Sequence, residues 1–355
     1  MAARLRLRGQ RAARARGFTL IEMLIAVMLF GLLSLMLSPT FRTFMTARDQ
    51  AYKERQTFVN NKIAQAMQEY AEQPPPATPI GVLPAPWTNT SGRFFLAPVN
   101  MTTGSTTSVM PYAQAQGLTT SEFNDDGSAA ARVRVYQRAQ GIPVDSYLFF
   151  QGGPPVSLNY DLGVVYMTAC ARAQTCNASA TTPTTQTTPT PTRLTAANYA
   201  SWTPPSDAVG TVFFSTLPLQ KRMLALTASR LDRIREAMTN FYNAKGNYPF
   251  PTAGRQLTNG APALNQGCRE GWYELGTDTV GSVVNDIAAQ VGIGQKEDTR
   301  TAWGASIEYC QDYDATGAKG LDTAPRYAAL RINRYVSQAM SPDPTNPLMN
   351  VVVSF

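Results

Sequence analysis

The stretch Arg14-Ala-Arg-Gly-Phe-Thr-Leu-Ile-Glu22 decides how the rest of the sequence is interpreted. It joins a basic start to an apolar run, residues 18–37, in which the polar side chains are Thr19, Glu22 and Ser34. As a helix this run would measure about 30 Å, the thickness of the hydrocarbon core of one bilayer. Basic residues before an apolar span keep the N-terminus cytoplasmic. The sequence therefore predicts one membrane-spanning helix, with the remainder of the chain across the membrane.

The positive charge of the chain is concentrated at that basic start. Residues 1–17 hold six arginines and no acid, whereas the whole sequence has 31 basic and 24 acidic residues and a net charge of +7. Without the six arginines, 25 bases face 24 acids, so the rest is nearly neutral. It offers no broad phosphate-binding field, and no nucleic-acid site is expected.

Composition and motifs also argue against an enzyme. The sequence contains no histidine, which excludes Ser-His-Asp and Cys-His catalysis and histidine zinc sites. No nucleotide-binding loop, nucleophile motif or acid–base constellation is visible. We therefore expect a protein without catalytic residues and without a required cofactor.

Glu22 stands out because it is a carboxylate in an apolar run. Such a residue costs on the order of a few kcal/mol in a membrane span and usually has a function. The run is not an ordinary signal peptide, since no small-residue cleavage site follows Leu37. A plain single-span anchor is the simpler alternative.

Residues 14–40 together resemble the processing site of type IV prepilins and type II secretion pseudopilins. The features that carry the resemblance are the basic leader 1–17, Gly17, Phe18, Glu22, Gly31 and Pro39. The resemblance implies that prepilin peptidase cleaves on the cytoplasmic side, between Gly17 and Phe18. It also implies that the new amino terminus at Phe18 is methylated.

The resemblance further implies where the subunit goes. The apolar run is kept, anchors the subunit in the inner membrane with its C-terminal part in the periplasm, and then enters a helical filament. Cleavage creates an ammonium group at Phe18, which the Glu22 carboxylate of a neighbouring subunit would pair with in the low-dielectric bundle. The implied partners are other pilins or pseudopilins, the prepilin peptidase, and an inner-membrane assembly platform with its ATPase.

The fold class predicted for the rest is α+β, with a long N-terminal helix packed on an antiparallel sheet. Apolar residues at helical spacing predict a helix over residues 18–72, which Pro74 to Pro76 should end. Its expected core positions are Phe41, Phe44, Met45, Tyr52, Phe58, Val59, Ile63, Met67 and Tyr70. Strands are predicted at residues 132–136, 147–150, 164–167 and 209–214. Residues 74–127 are predicted as loop, and the Thr/Pro-rich tract 177–206 as a flexible or extended loop.

A partial repeat predicts a second pilin-like module. Lys62-Ile-Ala-Gln-Ala-Met-Gln-Glu-Tyr70 matches Arg233-Ile-Arg-Glu-Ala-Met-Thr-Asn-Phe241 in a pattern of basic, Ile, Ala-Met and aromatic positions. A second helix is expected over residues 219–244, capped by Gly246 and stopped by Pro249. Residues 303–309, 326–333 and 351–355 would supply its sheet. The predicted organisation is a leader 1–17, a helix 18–72, a first module 73–216 and a second module 217–355.

The four cysteines are predicted to form disulfides. Four cysteines allow three connectivities, and the two-module organisation favours Cys170 with Cys176 and Cys268 with Cys310. Disulfides fit the oxidising periplasm. A metal site built from all four thiolates is the alternative, but close C-x-x-C spacing is lacking.

One segment has the opening pattern of a calcium loop. Asp312, Asp314 and Thr316 alternate before Gly317, and Asp322 lies near the end of such a loop. Position twelve of the loop is a threonine rather than the usual glutamate. The competing interpretation is an Asp-rich turn without metal, so calcium is a possible ligand and not a required one.

The sequence as a whole predicts a structural filament subunit, a minor pilin or large pseudopilin of a type IV pilus or type II secretion filament. It would reside in the inner membrane and then in the pilus or pseudopilus, at the cell surface or in the periplasm. An outer-membrane secretin would be the exit. A pilus-tip adhesin or ligand-binding minor pilin is the first alternative, which the second module and the Thr/Pro-rich tract favour. An anchored periplasmic enzyme is the second.

Overall fold

The computed structural model describes residues 20–75, 78–88, 94–95, 109–119, 122, 132–153, 155–171, 193–205, 208–249, 268, 272–275, 278–280, 283–285, 287–294, 296–314, 327–333 and 350–355. Its elements are, in chain order, α1 (Leu20–Glu72), β1 (Trp87–Thr88), β2 (Phe94–Phe95), α2 (Met110–Ala115), β3 (Arg132–Tyr147), β4 (Pro155–Ala171), β5 (Val209–Ser215), α3 (Leu217–Lys245), β6 (Tyr273–Glu274), β7 (Asp278–Val280), β8 (Val283–Asn285), α4 (Ile287–Gln290), a 3-10 turn (Lys296–Thr299), β9 (Ile307–Tyr313), β10 (Tyr327–Asn333) and β11 (Asn350–Ser354). Helices pack on antiparallel sheets, which confirms the α+β prediction. The chain divides into two compact units, Met1–Arg55 and Gln56–Phe355.

The first unit is the N-terminal part of α1, a helix of 53 residues in total that runs through Pro39 without a break. The prediction of core packing was wrong for Phe41, Phe44 and Met45, and also for Phe58 in the second unit, because all four side chains are exposed. In the first unit the reason is that its described residues form this helix alone. Within the described part of the chain, no helix has both the length and the apolar character needed to cross a membrane.

In the second unit, α1 packs on the first sheet, which has the strand order β3-β4-β5. The predicted core positions Val59, Ile63, Met67 and Tyr70 are buried there. They meet one face of the sheet, whose residues at this interface include Tyr136, Val165 and Phe214. Strands β3 and β4 are much longer than the predicted strands, and β5 is one residue longer. The reason is that cross-strand pairing continues beyond the apolar runs.

The opposite face of the first sheet is covered by part of the Thr/Pro-rich tract. Leu194 and Trp202 are buried against Val135, Val164 and Tyr166. The described part of the tract, residues 193–205, has neither helix nor strand, as expected of a loop. It is nevertheless packed on the sheet rather than solvated, because Leu194 and Trp202 fill the outer face. Residues 177–192 lie outside the described residues.

Two further predictions were wrong. Residues 74–127 were predicted as loop, but β1, β2 and α2 lie there, and α2 buries Met110 and Ala113 against α1. A strand was predicted over residues 147–150, but β3 ends at Tyr147 and the hairpin turns over residues 148–153. Gly152, with a φ of 99°, permits that turn, and it leaves Phe150 exposed.

Helix α3 packs on the second sheet, which has the strand order β11-β10-β9-β6. The helix agrees with the one predicted over residues 219–244, with two more residues at its start and one at its end. Gly246 follows it with a φ of 75° and donates its N–H to the Tyr242 carbonyl, so the predicted glycine cap is present. Ile307, Tyr309, Leu330 and Ile332 face the helix.

Candidate functional site

The first residues of the processing motif precede α1, and its last residues form the start of that helix. Gly17 and Phe18 lie outside the described residues, and so does the side chain of Glu22, whose backbone is helical. Large apolar side chains of the first turns are more than half exposed, including Ile21, Ile25 and Phe30, which is 75% exposed. A helix with exposed apolar groups on its surface can bury them against other helices.

The described helix surface is also exposed at Gly31 and from residue 41 onward. At Gly31 the point that a Cβ would occupy has no heavy atom within 4 Å apart from the neighbouring residues and backbone of its own helix. Further along, residues 41–50 are all exposed, and Phe41 and Phe44 are the largest apolar groups among them. The described side chains of residues 21–50 therefore form an exposed helix surface with large apolar groups and no cleft for a small ligand.

The calcium candidate is only partly described. Asp312 lies in β9 and Asp314, which is buried, follows it, while Thr316 and Asp322 lie outside the described residues. In the part of the chain that the structure describes, no group of three or more metal-ligating His, Cys, Asp or Glu side chains occurs. The described geometry therefore brings no ligand set together.

Of the two predicted disulfides, one is described. Cys268 and Cys310 are joined, with their Cα atoms 5.9 Å apart, and both are buried beside Trp272. The side chain of Cys170 and the whole of Cys176 lie outside the described residues.

Asp161 is a buried polar centre that the sequence analysis missed. It lies in β4, is 3% exposed, and accepts hydrogen bonds from the backbone N–H groups of Leu83 and Gly141, each at 3.0 Å. The Arg138 guanidinium lies 3.7 Å from the carboxylate. Burial raises the pKa of Asp161, while Arg138 and the two N–H donors act in the opposite direction.

Asp161 also ties the first sheet to the start of α3. Its backbone N–H donates to Thr216 Oγ1 at 2.9 Å, and its carbonyl accepts from the Thr216 N–H. Nearby, the amide of Gln220 donates to the Gly81 carbonyl and accepts from Trp303 Nε1 at 2.8 Å. These contacts connect β4, the segment after α1, and α3, so they build the fold and offer no reactive group to solvent.

A second buried charged group lies in the second sheet. Arg331 of β10 donates from Nε to Glu308 of β9, and the Arg331 guanidinium lies 4.4 Å from the centre of the Trp272 ring. Burial raises the pKa of Glu308 to about 7, against the effect of Arg331, and burial lowers the pKa of Arg331. The available sequence signal was a single charge inside each of two apolar strands, Ile-Glu-Tyr-Cys and Ala-Leu-Arg-Ile.

One comparison with known proteins is informative. Residues 12–38 match the family model of the prokaryotic N-terminal methylation motif. The matched residues include Gly17, Phe18, Glu22 and the first part of α1. No curated protein and no solved structure matches the chain.

The match indicates the class of protein to which the chain is related. The chain carries a prepilin-type methylation motif, which suggests a membrane-anchored subunit of a pilus or pseudopilus. More particularly, the motif is consistent with the type IV pilin and pseudopilin family, whose members are structural proteins that are processed by prepilin peptidase and assemble with other pilins.

Proposed function

We propose that the chain is a minor pilin or large pseudopilin, a filament subunit assembled through the N-terminal part of α1. The observation that carries this proposal is the methylation motif at residues 12–38, which runs directly into a continuous helix, Leu20–Glu72. The exposed apolar groups of that helix support assembly, because helices of neighbouring subunits would bury them. The C-terminal part of α1 supports the proposal as well, because this part packs on the first sheet and so connects the sheet to the assembling part of the helix.

Processing and anchoring follow from the same motif. We propose that the leader 1–17 is removed between Gly17 and Phe18 and that Phe18 is then methylated. Residues 18–37 anchor the subunit in the inner membrane before assembly, a proposal that rests on the apolar sequence of this run. Delivery by an inner-membrane platform and its ATPase belongs to the same proposal. The subunit has no enzymatic activity of its own.

The two-module organisation, with modules 73–216 and 217–355, is also a proposal. Its support is that each half of the repeat contributes equivalent core residues. Ile63 and Met67 lie in the core between α1 and the first sheet, and Ile234 and Met238 lie in the core between α3 and the second sheet. In both cases a helix rests on an antiparallel sheet formed by later residues.

Glu22 is proposed to recognise the amino terminus of a neighbouring subunit. A carboxylate in the apolar part of a filament is stabilised only when a cation meets it. Glu22→Val should therefore leave membrane insertion and cleavage intact while lowering the amount of the subunit in sheared filaments.

Ser34→Val is the matched control, because it also replaces a polar group of the apolar run but removes no charge. Both variants are compared with the wild type by the ratio of filament-bound to membrane-bound subunit. Incorporation of Glu22→Val at the wild-type level would contradict the assembly role of Glu22.

A tip-located, ligand-binding minor pilin is the second candidate. The specific observation in its favour is an aromatic hairpin turn, where Tyr147, Phe149 and Phe150 are each more than a third exposed. Arg235 lies 5.5 Å from the centre of the Phe149 ring. Labelling of the subunit along filaments distinguishes the candidates, because a tip subunit would be found only at filament ends.

A further inference from the structure

The second sheet carries its ion pair on the face turned away from α3. Side chains alternate along β9, so that Ile307 and Tyr309 join the core under α3 while Glu308 and Cys310 lie on the other face. Arg331 is the cross-strand partner of Glu308 on that face. Glu308 is 4% exposed and Arg331 is fully buried, so this outer face of the sheet is not open to water at the ion pair.

Trp272 lies against the Arg331 guanidinium of the ion pair, and the disulfide lies in the same buried cluster as Trp272. The Trp272 ring is fully buried and stands 4.4 Å from the Arg331 guanidinium, a distance typical of a cation–π contact. Cys310 is two residues from Glu308 on the same strand and the same face, and its disulfide partner Cys268 precedes Trp272 by four residues. The backbone of Cys268 also forms an isolated antiparallel β-bridge with Tyr313. The ring of Tyr313 lies 5.8 Å from that of Trp272.

The cost of burying the ion pair explains why the Trp272 ring has to be held in place. Two charges removed from water lose hydration energy, which their mutual attraction restores only when further hydrogen bonds satisfy their remaining donors and acceptors. The raised pKa of Glu308 reflects the same cost, because desolvation is its largest cause. Any motion that lets water reach Glu308 and Arg331 is therefore favoured by the ions themselves, and a restraint is needed to oppose it.

We infer that the Cys268–Cys310 disulfide is this restraint: it holds Trp272 over the Glu308–Arg331 pair against the tendency of the two ions to become hydrated. Formation of the bond takes two electrons and two protons from the two thiols, and a disulfide oxidant accepts them and becomes a dithiol. The outer face of β9 and β10 is therefore closed only after the chain has been oxidised. Before oxidation, the same face opens locally while the core under α3 is retained.

Hydrogen exchange in the full-length protein in detergent micelles tests this inference. We expect peptides from β9 and β10 to exchange at least about tenfold faster in Cys268→Ala/Cys310→Ala than in the wild type, since local opening there becomes easier. Peptides from α3 should change little. The matched control is Cys170→Ala/Cys176→Ala, which removes the other two cysteines and should leave exchange in β9 and β10 unchanged.

The decisive arm adds Glu308→Gln and Arg331→Met to the variant without Cys268 and Cys310. These two changes keep the side-chain volumes similar and remove both charges, so the acceleration should fall below about threefold. An equal acceleration with and without the ion pair would overturn the inference, and so would wild-type exchange in the variant without the disulfide.

One further variant keeps the inference falsifiable if the combined variant fails to fold. Trp272→Ala in the oxidised chain removes the cover directly and should accelerate exchange in β9 and β10 although the disulfide is intact. Unchanged exchange in Trp272→Ala would show that the indole ring does not keep the ion pair dry, and the inference would then be wrong.

Discussion

Removing the buried carboxylate of Asp161 should weaken the fold of the second unit substantially. In Asp161→Ala, the backbone N–H groups of Leu83 and Gly141 both lose their acceptor, and Arg138 loses a carboxylate 3.7 Å away. The change also leaves the space of the carboxylate empty, because the side chain is almost fully enclosed.

The magnitude follows from the burial of each donor. An unsatisfied buried N–H costs about 1–3 kcal/mol. Leu83 is buried and takes a value near the upper end, whereas Gly141 is partly buried and takes one near the lower end. Arg138 keeps its hydrogen bonds to the Leu83 carbonyl and to Gln140, so the loss of its ion pair with Asp161 adds little to the destabilisation. The expected loss of unfolding free energy is therefore about 3–4 kcal/mol, and about half of that for Asp161→Asn, which keeps one acceptor oxygen.

Urea unfolding of the full chain in detergent, followed by far-ultraviolet circular dichroism, measures this loss as a lowered midpoint. Asp145→Ala is the matched control, because Asp145 lies in β3 but is exposed. Its effect should stay within about 0.5 kcal/mol. A midpoint for Asp161→Ala equal to that of Asp145→Ala would refute the assignment of Asp161 as a buried acceptor.

Two other predictions concern the close packing and the buried acid of the second unit. Gly210→Ala should destabilise the fold more than Gly141→Ala. Both glycines have a positive φ, but only at Gly210 would the added Cβ lie 2.8 Å from a backbone nitrogen of α1, so the difference between their urea midpoints isolates that close approach. The pH dependence of stability should carry a contribution from Glu308, whose folded pKa of about 7 exceeds its ordinary 4.5. This contribution is fully present below pH 4.5 and is lost as the pH rises through about 7. Urea midpoints of Glu308→Gln should lack this decline, and an identical pH profile in Glu308→Gln and the wild type would contradict the assignment.

The elements that the sequence predicted well are those whose signal is local. The long helix and α3 are marked by apolar residues at helical spacing and by proline or glycine at their ends, and both form as expected. The methylation motif is likewise a contiguous pattern, and the family comparison supports it directly.

The features that the sequence did not predict depend on distant partners. Leu194 and Trp202 belong to a tract with a loop-like composition, and only the outer face of the first sheet gives them a place to be buried. Asp161 looks like an ordinary surface charge in the sequence, and Arg331 shows only as a charge in an apolar run, because the partners of both residues are distant along the chain. The exposure of Phe41 and Phe44 has the opposite cause, since helical periodicity does not say whether the burying surface lies in the same chain.

The central claim, that the chain is a processed filament subunit, is tested most directly at its amino terminus. Intact-mass analysis of membrane-inserted protein from a host with active prepilin peptidase should show a chain that begins at Phe18 and carries one additional methyl group. Replacement of Gly17 by a bulky residue should leave the leader in place in the same host. A wild-type chain that still begins at Met1 would contradict the account.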